Sequence, residues 1–214
     1  MRLINDNFIH KAFLKSPHMF HYFAVFKPFG MLSQFTSEGK HQTLADLKFP
    51  FPKDVYPVGR LDADSEGLIL LTNDKRVNSK LLEPSNKHKR KYIVQVEGEI
   101  TEDALKLLEK GMQLNDKGNI YKTLPAIAAI IEEPALPDRN PPVRFRKSIP
   151  TSWIELIINE GKNRQVRKMV AAAGFPALRL IRVEIEDFKL DKMENGLVQE
   201  ISKSEFYSKL KLRL

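Results

Sequence analysis

The chain has 214 residues, 42% of them hydrophobic, a length that fits one domain or one domain with a small appendage. Its longest apolar run, Ala126 to Ile131, is far shorter than the ~20 residues of a membrane-spanning helix, so a transmembrane protein is excluded. The chain contains no cysteine, which excludes disulfides, thiolate metal sites and cysteine nucleophiles. His18 and His21 lack a third ligand at a recognisable spacing, so we expect no metal ion.

The positive charge is concentrated in two stretches of the chain. The net charge is +8, and residues 139–168 contain eight basic residues but only two acidic ones. The basic residues of this stretch are Arg139, Arg144, Arg146, Lys147, Lys162, Arg164, Arg167 and Lys168. A second stretch contains Lys87, Lys89, Arg90 and Lys91. Such a regional excess favours a polyanionic partner, and the plainer alternative is a solvated basic face.

The first 20 residues are assigned to an N-terminal arm, and residues 21–214 to a single domain. Leu3, Ile4, Phe8, Ala12 and Phe13 recur near the helical period, which predicts a short helix or an arm packed on the domain. Residues 5–7 are polar and interrupt any secretory hydrophobic segment, although a targeting sequence remains a second interpretation.

The domain alternates short apolar strands with helical patterns. The predicted strands are Tyr22–Phe26, Tyr56–Val58, Leu68–Thr72, Tyr92–Glu97, Ala126–Ile131, Trp153–Ile158 and Leu178–Phe188. One helix begins after Thr101 and ends at Gly111, and a second spans Gln165–Ala173. The pattern predicts an α+β fold with a large mixed, mainly antiparallel sheet flanked by helices. The proline-rich segment 134–150 is predicted to be an ordered basic surface loop.

A polar loop rich in carboxylates lies between two of the predicted strands. It reads Gly59-Arg60-Leu61-Asp62-Ala63-Asp64-Ser65-Glu66-Gly67-Leu68. Asp62, Asp64 and Ser65 are residues that form turn hydrogen bonds, with Gly67 supplying a positive φ, so a purely structural role is one interpretation. The whole pattern, however, resembles the catalytic motif of the A-type branch of the pseudouridine synthases, the branch typified by enzymes of the small ribosomal subunit, which modifies ribosomal RNA.

Three further segments resemble the same family in the same order, so that the resemblance extends from about residue 22 to residue 188. Lys27-Pro28-Phe29-Gly30 is similar to its first motif, and Lys91-Tyr92 is similar to a strand whose tyrosine lies against the target base. The segment 160–169, with sequence EGKNRQVRKM, is similar to a helix start whose second arginine pairs with the catalytic aspartate. The basic first turn opposes the helix macrodipole, so a reason other than helix stability is expected.

The resemblance implies isomerisation of a uridine to pseudouridine without a cofactor, in a pseudouridine synthase fold with the active-site cleft across the sheet. Asp62 would be the catalytic carboxylate, acting either as a nucleophile or in proton abstraction. Arg167 would form a salt bridge with Asp62, and the alternative is that Arg164 takes this role while Arg167 binds phosphate. Tyr92 would stack under the uracil, and Asp64 is expected to be structural.

The same resemblance implies which residues contact RNA. They are Arg60, Lys27, Arg144, Arg146, Lys147, Lys162, Arg164 and Lys168. Too few residues precede the first strand for the S4-type RNA-binding domain of many family members, and members without it point to 23S (large-subunit) ribosomal RNA. We therefore expect a cytoplasmic, monomeric enzyme with no membrane partner. The alternatives are small-subunit RNA or transfer RNA as substrate, or a non-catalytic RNA-binding factor for ribosome assembly.

Overall fold

The computed structural model describes residues 19–144, 146–190 and 192–213. The expected N-terminal arm therefore lies outside the described residues except for Met19 and Phe20. Phe145, in the basic loop, also lies outside them. Among the residues that the structure describes, no helix is long and apolar enough to cross a membrane.

Eleven strands and four α-helices are formed within this part of the chain. The strands are β1 (Tyr22–Lys27), β2 (Tyr56–Val58), β3 (Glu66–Thr72), β4 (Arg90–Glu97), β5 (Gln113–Asp116), β6 (Asn119–Lys122), β7 (Ile127–Ile131), β8 (Thr151–Ile158), β9 (Ala177–Ile185), β10 (Phe188–Lys189) and β11 (Val198–Glu200). The helices are α1 (Lys75–Leu82), α2 (Glu102–Lys110), α3 (Gln165–Ala172) and α4 (Lys203–Lys209).

Nine of the strands form one sheet with the order β11-β1-β3-β9-β4-β8-β7, to which β2 and β10 add beside β3 and β9. All neighbours run antiparallel except β3 and β9, which pair in parallel. The predicted mixed, mainly antiparallel sheet is therefore confirmed. Strands β5 and β6 form a separate hairpin.

The sheet buries side chains on both faces. On one face, Leu105 of α2 and Met169 of α3 join a core with alternate residues of the central strands. On the other face, Val77 of α1 and Phe206 of α4 pack against the remaining residues. Strand β1 is buried at all six positions, as a strand covered on both faces requires.

The helix boundaries follow local capping chemistry. Thr101 accepts a hydrogen bond from the Ala104 amide and so caps α2, which ends at Gly111 with φ of 73°. The two predicted helices are confirmed, the second to within a residue. The segment 134–150 contains no helix or strand among its described residues and is largely exposed, as predicted.

The prediction of one continuous strand over Leu178–Phe188 is wrong. The chain turns at Glu186, where φ is 50°, and β10 folds back to pair with β9. The Glu186 carboxylate accepts a hydrogen bond from the Lys89 amide at 2.7 Å and forms an ion pair with Lys211 at 3.1 Å. These contacts from outside the strand stabilise the turn.

Candidate active site

The loop that carries both aspartates is fixed by hydrogen bonds from a distant part of the chain. We call residues 59–65 the aspartate loop. Ser33 holds its buried Leu61, because the Ser33 hydroxyl donates to the Leu61 carbonyl at 2.7 Å and accepts from the Leu61 amide at 3.0 Å. The Ser65 amide closes a turn by donating to the Asp62 carbonyl at 3.0 Å. The Asp62 carboxylate therefore projects from an anchored turn.

Lys27 also holds this loop. Its side chain is fully buried, and Nζ donates to the carbonyls of Met31 at 2.8 Å and Ala63 at 3.5 Å. Burial lowers the pKa of Lys27 to about 8. Because the ammonium is enclosed and bonded to backbone carbonyls, it is not accessible to an RNA phosphate, and the expected substrate contact of Lys27 does not fit this position.

Gly67 allows the aspartate loop to lead directly into the centre of the sheet. Its φ is 100°, and a Cβ atom there would clash with the carbonyl oxygen of Arg182 on β9. Only glycine permits this close approach of β3 to β9. The glycine of the motif thus sets the distance between the aspartate loop and β9.

The ion pairs of the two aspartates differ from the expectation. Among the described residues, the ion-pair partner of Asp62 is Arg164, whose Nη1 lies 3.6 Å from Asp62 Oδ2. Arg167 instead contacts Asp64, with Nε 3.4 Å from Oδ2 and Nη2 donating to the Asp64 carbonyl. The predicted Asp62–Arg167 pair is therefore wrong, and the Arg164 alternative is confirmed.

Asp64 connects both arginines of α3 to the aspartate loop. Arg164 donates two hydrogen bonds to its carboxylate, at 2.9 and 2.7 Å. Burial alone would raise the pKa of Asp64, but the hydrogen bond from Arg164 and the charges of Arg167 and Arg164 hold it below its ordinary value. Two such bonds fix the direction of a guanidinium group, which supports the structural role expected for Asp64.

The backbone at the start of α3 explains why Arg164 reaches the loop. Arg164 is the N-cap residue and has a left-handed conformation, with φ of 51°. Just before it, Glu160 accepts a hydrogen bond from the Gln165 side chain at 2.6 Å. Arg167, a turn later, is mostly buried and also donates to the Ala177 carbonyl at 3.2 Å, so it is not free to bind phosphate.

A cleft of about 590 Å³ lies beside the aspartate loop and across β4 and β9. Asp62 and Tyr92 both line it, and Tyr92 is 8% exposed. Six basic side chains line the same cleft, against three carboxylates. The basic residues are Arg60, Lys87, Arg90, Lys162, Arg164 and Arg182. The cleft therefore combines an accessible carboxylate, an aromatic ring and an excess of positive charge.

The remaining candidate RNA contacts lie outside this cleft or are already engaged. Lys162 lines the cleft, with Nζ 3.8 Å from the centre of the Tyr121 ring. Lys168 forms an ion pair with Asp116 of the β5–β6 hairpin at 2.7 Å. The basic-loop residues Arg144, Arg146 and Lys147 are exposed but do not line the cleft.

Two buried cations of the cleft were not recognised in the sequence. Arg90 donates to the carbonyls of His88 and Leu81, and Arg182 is 5% exposed. Both alternate with apolar residues in a strand, a pattern that gives no sign of which face carries the site. Among the described residues, no group of three histidine, aspartate or glutamate side chains is arranged to bind a metal ion.

Comparison with known proteins agrees with this site and fold. A model of the RNA pseudouridylate synthase family matches residues 21–172. The chain belongs to this family, has the pseudouridine synthase fold, and is a pseudouridine synthase.

Particular relatives are similar over most of their length. The chain is 49% identical over 176 residues to ribosomal large subunit pseudouridine synthase E of Vibrio vulnificus, covering 82% of this chain and 73% of the relative. It is 48% identical over 170 residues to the protein of the same name from Xanthomonas axonopodis, with coverages of 78% and 86%. A crystal structure of a pseudouridylate synthase superimposes with a TM-score of 0.72 at 27% identity, covering 90% of this chain and 74% of the other.

Proposed function

We propose that this enzyme isomerises one uridine of large-subunit ribosomal RNA to pseudouridine, with Asp62 as the catalytic carboxylate. The observation that carries the proposal is the placement of Asp62 and Tyr92 in one cation-lined cleft. The substrate class rests on the relatives named ribosomal large subunit pseudouridine synthase. We further propose that the enzyme is a cytoplasmic monomer, since its substrate is ribosomal RNA.

The cleft suits a nucleotide that has left its base stack. An enzyme that acts on a base inside folded RNA must extrude it, at a cost of a few kcal/mol. Tyr92 offers an aromatic ring for the extruded uracil, and exposed Arg60 at the cleft is placed for phosphate contact. These contacts replace part of the stacking that the base loses.

Asp62 acts at C1′ of the target uridine. Its side chain is 38% exposed and is contacted by Arg164 through one pair at 3.6 Å, so most of its oxygen lone pairs face the cleft. An ionised carboxylate at this position stabilises the positive charge that develops as the N1–C1′ bond breaks. Arg164 keeps the carboxylate oriented, and Arg167 acts indirectly by holding Asp64. The uracil then turns, C5 bonds to C1′, and the C5 proton leaves.

The test is tritium release from RNA that contains 5-tritiated uridine. The wild type is compared with Asp62→Asn on large-subunit RNA, small-subunit RNA and transfer RNA, and RNA binding is measured in parallel. We expect the wild type to release tritium from large-subunit RNA alone, and Asp62→Asn to bind this RNA without releasing tritium.

Other outcomes point to the competing functions. Release from small-subunit or transfer RNA instead would change the substrate class. Binding by the wild type without release from any RNA would favour a non-catalytic assembly factor. Full activity of Asp62→Asn would overturn the role of this carboxylate.

A further inference from the structure

Arg182 lies beside Tyr92 on the floor of the cleft. The two residues are directly paired between β9 and β4, and both line the cleft, which places their side chains on the same face of the sheet. A register shift follows Tyr92 towards Lys91. Such bulges re-aim side chains and are common next to active sites.

The guanidinium group of Arg182 is buried but only partly hydrogen-bonded. Nε donates to the Leu68 carbonyl at 2.8 Å, and this is its one hydrogen bond among the described residues. Nη2 is enclosed and has no partner there. A buried charged donor without a partner is costly, so a ligand that supplies an acceptor would be bound strongly at this point.

Arg179, three residues earlier on β9, shows what a structural arginine looks like in the same strand. It is buried to a similar extent, at 7% exposure. Its Nε and Nη2 donate to the Glu66 carboxylate at 2.9 and 2.8 Å. Because Arg179 is fully paired and Arg182 is not, burial in β9 does not by itself account for Arg182.

The surroundings of Arg182 favour a ligand that carries negative charge. Burial lowers the pKa of Lys27 to about 8 and also lowers that of Arg90, and the positive charge of Arg182 lowers both further. Three buried cations therefore lie close enough to interact. Negative charge that appears beside Tyr92 during the reaction would be stabilised by this cluster.

We propose that Arg182 is a further catalytic residue, which donates a hydrogen bond to the uracil as it departs from C1′; the proposal rests on the function proposed above. When the N1–C1′ bond breaks, its electron pair stays on N1 and is delocalised onto O2 and O4 of the ring. The guanidinium stabilises this anion without giving up a proton. When C5 bonds to C1′ and the C5 proton is lost, the ring becomes neutral again.

The experiment compares uridine with 5-fluorouridine at the target position of the same RNA. Fluorine withdraws electrons and stabilises the departing anion, so a reaction with 5-fluorouridine depends less on Arg182. The rate is the single-turnover loss of the target nucleoside from a nuclease digest. In Arg182→Met we expect the uridine rate to fall by ~100-fold or more, as when one oxyanion donor is removed, and the 5-fluorouridine rate to fall much less.

Two further variants keep the test decisive. Arg182→Lys retains the charge and covers the case in which Arg182→Met does not fold; its loss is again expected to be greater with uridine. Arg179→Lys is the matched control, and any loss there is expected to be equal for the two bases. Equal losses in the Arg182 variants, or none, would overturn the role of Arg182. Failure of the wild type on uridine in every RNA would overturn the proposed function itself.

Discussion

Asp62 and Asp74 lie at opposite ends of β3, and their environments are opposite in kind. Asp74 is 1% exposed, and its Oδ2 accepts hydrogen bonds from Tyr22 at 2.9 Å, Tyr207 at 2.7 Å and Arg76 at 2.8 Å. Asp62 is 38% exposed and has one ion pair at 3.6 Å. One strand thus ends in a saturated carboxylate and begins next to one with free lone pairs.

The difference separates stability from reactivity. Burial alone would raise the pKa of Asp74, but hydrogen bonds from Arg76, Tyr207 and Tyr22 hold it well below the usual range. A carboxylate bonded in this way stabilises the fold and has no capacity left for a substrate. Asp62 contributes few bonds to the fold, so its oxygens are available for chemistry.

Asp62→Asn is expected to have the largest effect on activity and almost none on stability. The substitution removes the charge that faces C1′, so we expect tritium release to fall by ~1,000-fold or more, as for loss of an essential catalytic group. The melting temperature should stay within ~2 °C, because a half-exposed group away from special features contributes little to stability. A variant that is inactive because it is unfolded would contradict this separation.

Asp74→Asn is expected to show the reverse. The neutral amide cannot accept from all three donors, and the free energy of unfolding should fall by ~3 kcal/mol, as when a buried charged partner is removed. Denaturant unfolding measures this loss. Activity per folded molecule should be unchanged at a temperature where the variant is folded, and a stability equal to the wild type would refute the structural role of the cluster.

Asp64→Asn tests the intermediate case. Without its charge, Asp64 no longer fixes Arg164 and Arg167, and Asp62 loses its orientation. We expect the single-turnover rate to fall by ~10- to 100-fold, the size of effect that misplacement of a catalytic group produces, with RNA binding retained. Asp187→Asn is the matched control, since Asp187 forms an exposed ion pair with Lys211 at 2.8 Å; a similar loss in both variants would argue against a specific role of Asp64.

Much of the fold can be predicted from the sequence because its strands carry strong local patterns. The helices α1 and α4 were missed, since each is short and is stabilised mainly by packing; Val77 and Leu81 are the buried residues of α1. For α4 a local signal was present, because Ser202 accepts a hydrogen bond from the Glu205 amide and the Ser-x-x-Glu pattern is typical of a helix start.

The site was predictable only in part. The motif resemblance identified Asp62 and Tyr92, but their common cleft depends on the strand order β3-β9-β4, which no local pattern contains. The arginine pairing depends on the left-handed backbone of Arg164, which is likewise not visible in residue types. Arg182 was missed because its unbonded donor becomes apparent only in three dimensions.

Tyr207→Phe is expected to have the smallest effect and to reveal itself mainly at high pH. The variant removes one of the donors to Asp74, and we expect a loss of ~1 kcal/mol in the free energy of unfolding at pH 7. Burial and the neighbouring Asp74 raise the pKa of Tyr207 to about 12, against ~10 in the unfolded chain.

The direction of the pH effect follows from this difference. Between pH ~10 and 12 the unfolded tyrosine has lost its proton while the folded one retains it, so the stability that is fully present below pH 10 is lost as the pH rises. Urea unfolding of the wild type should therefore show a decline over this range, and Tyr207→Phe a shallower one. Tyr56→Phe, at a tyrosine 61% exposed, is the control and should decline like the wild type. An equally steep decline in Tyr207→Phe would mean that Asp74 and Tyr207 are not coupled, and that the saturation which separates Asp74 from Asp62 comes from Tyr22 and Arg76 alone.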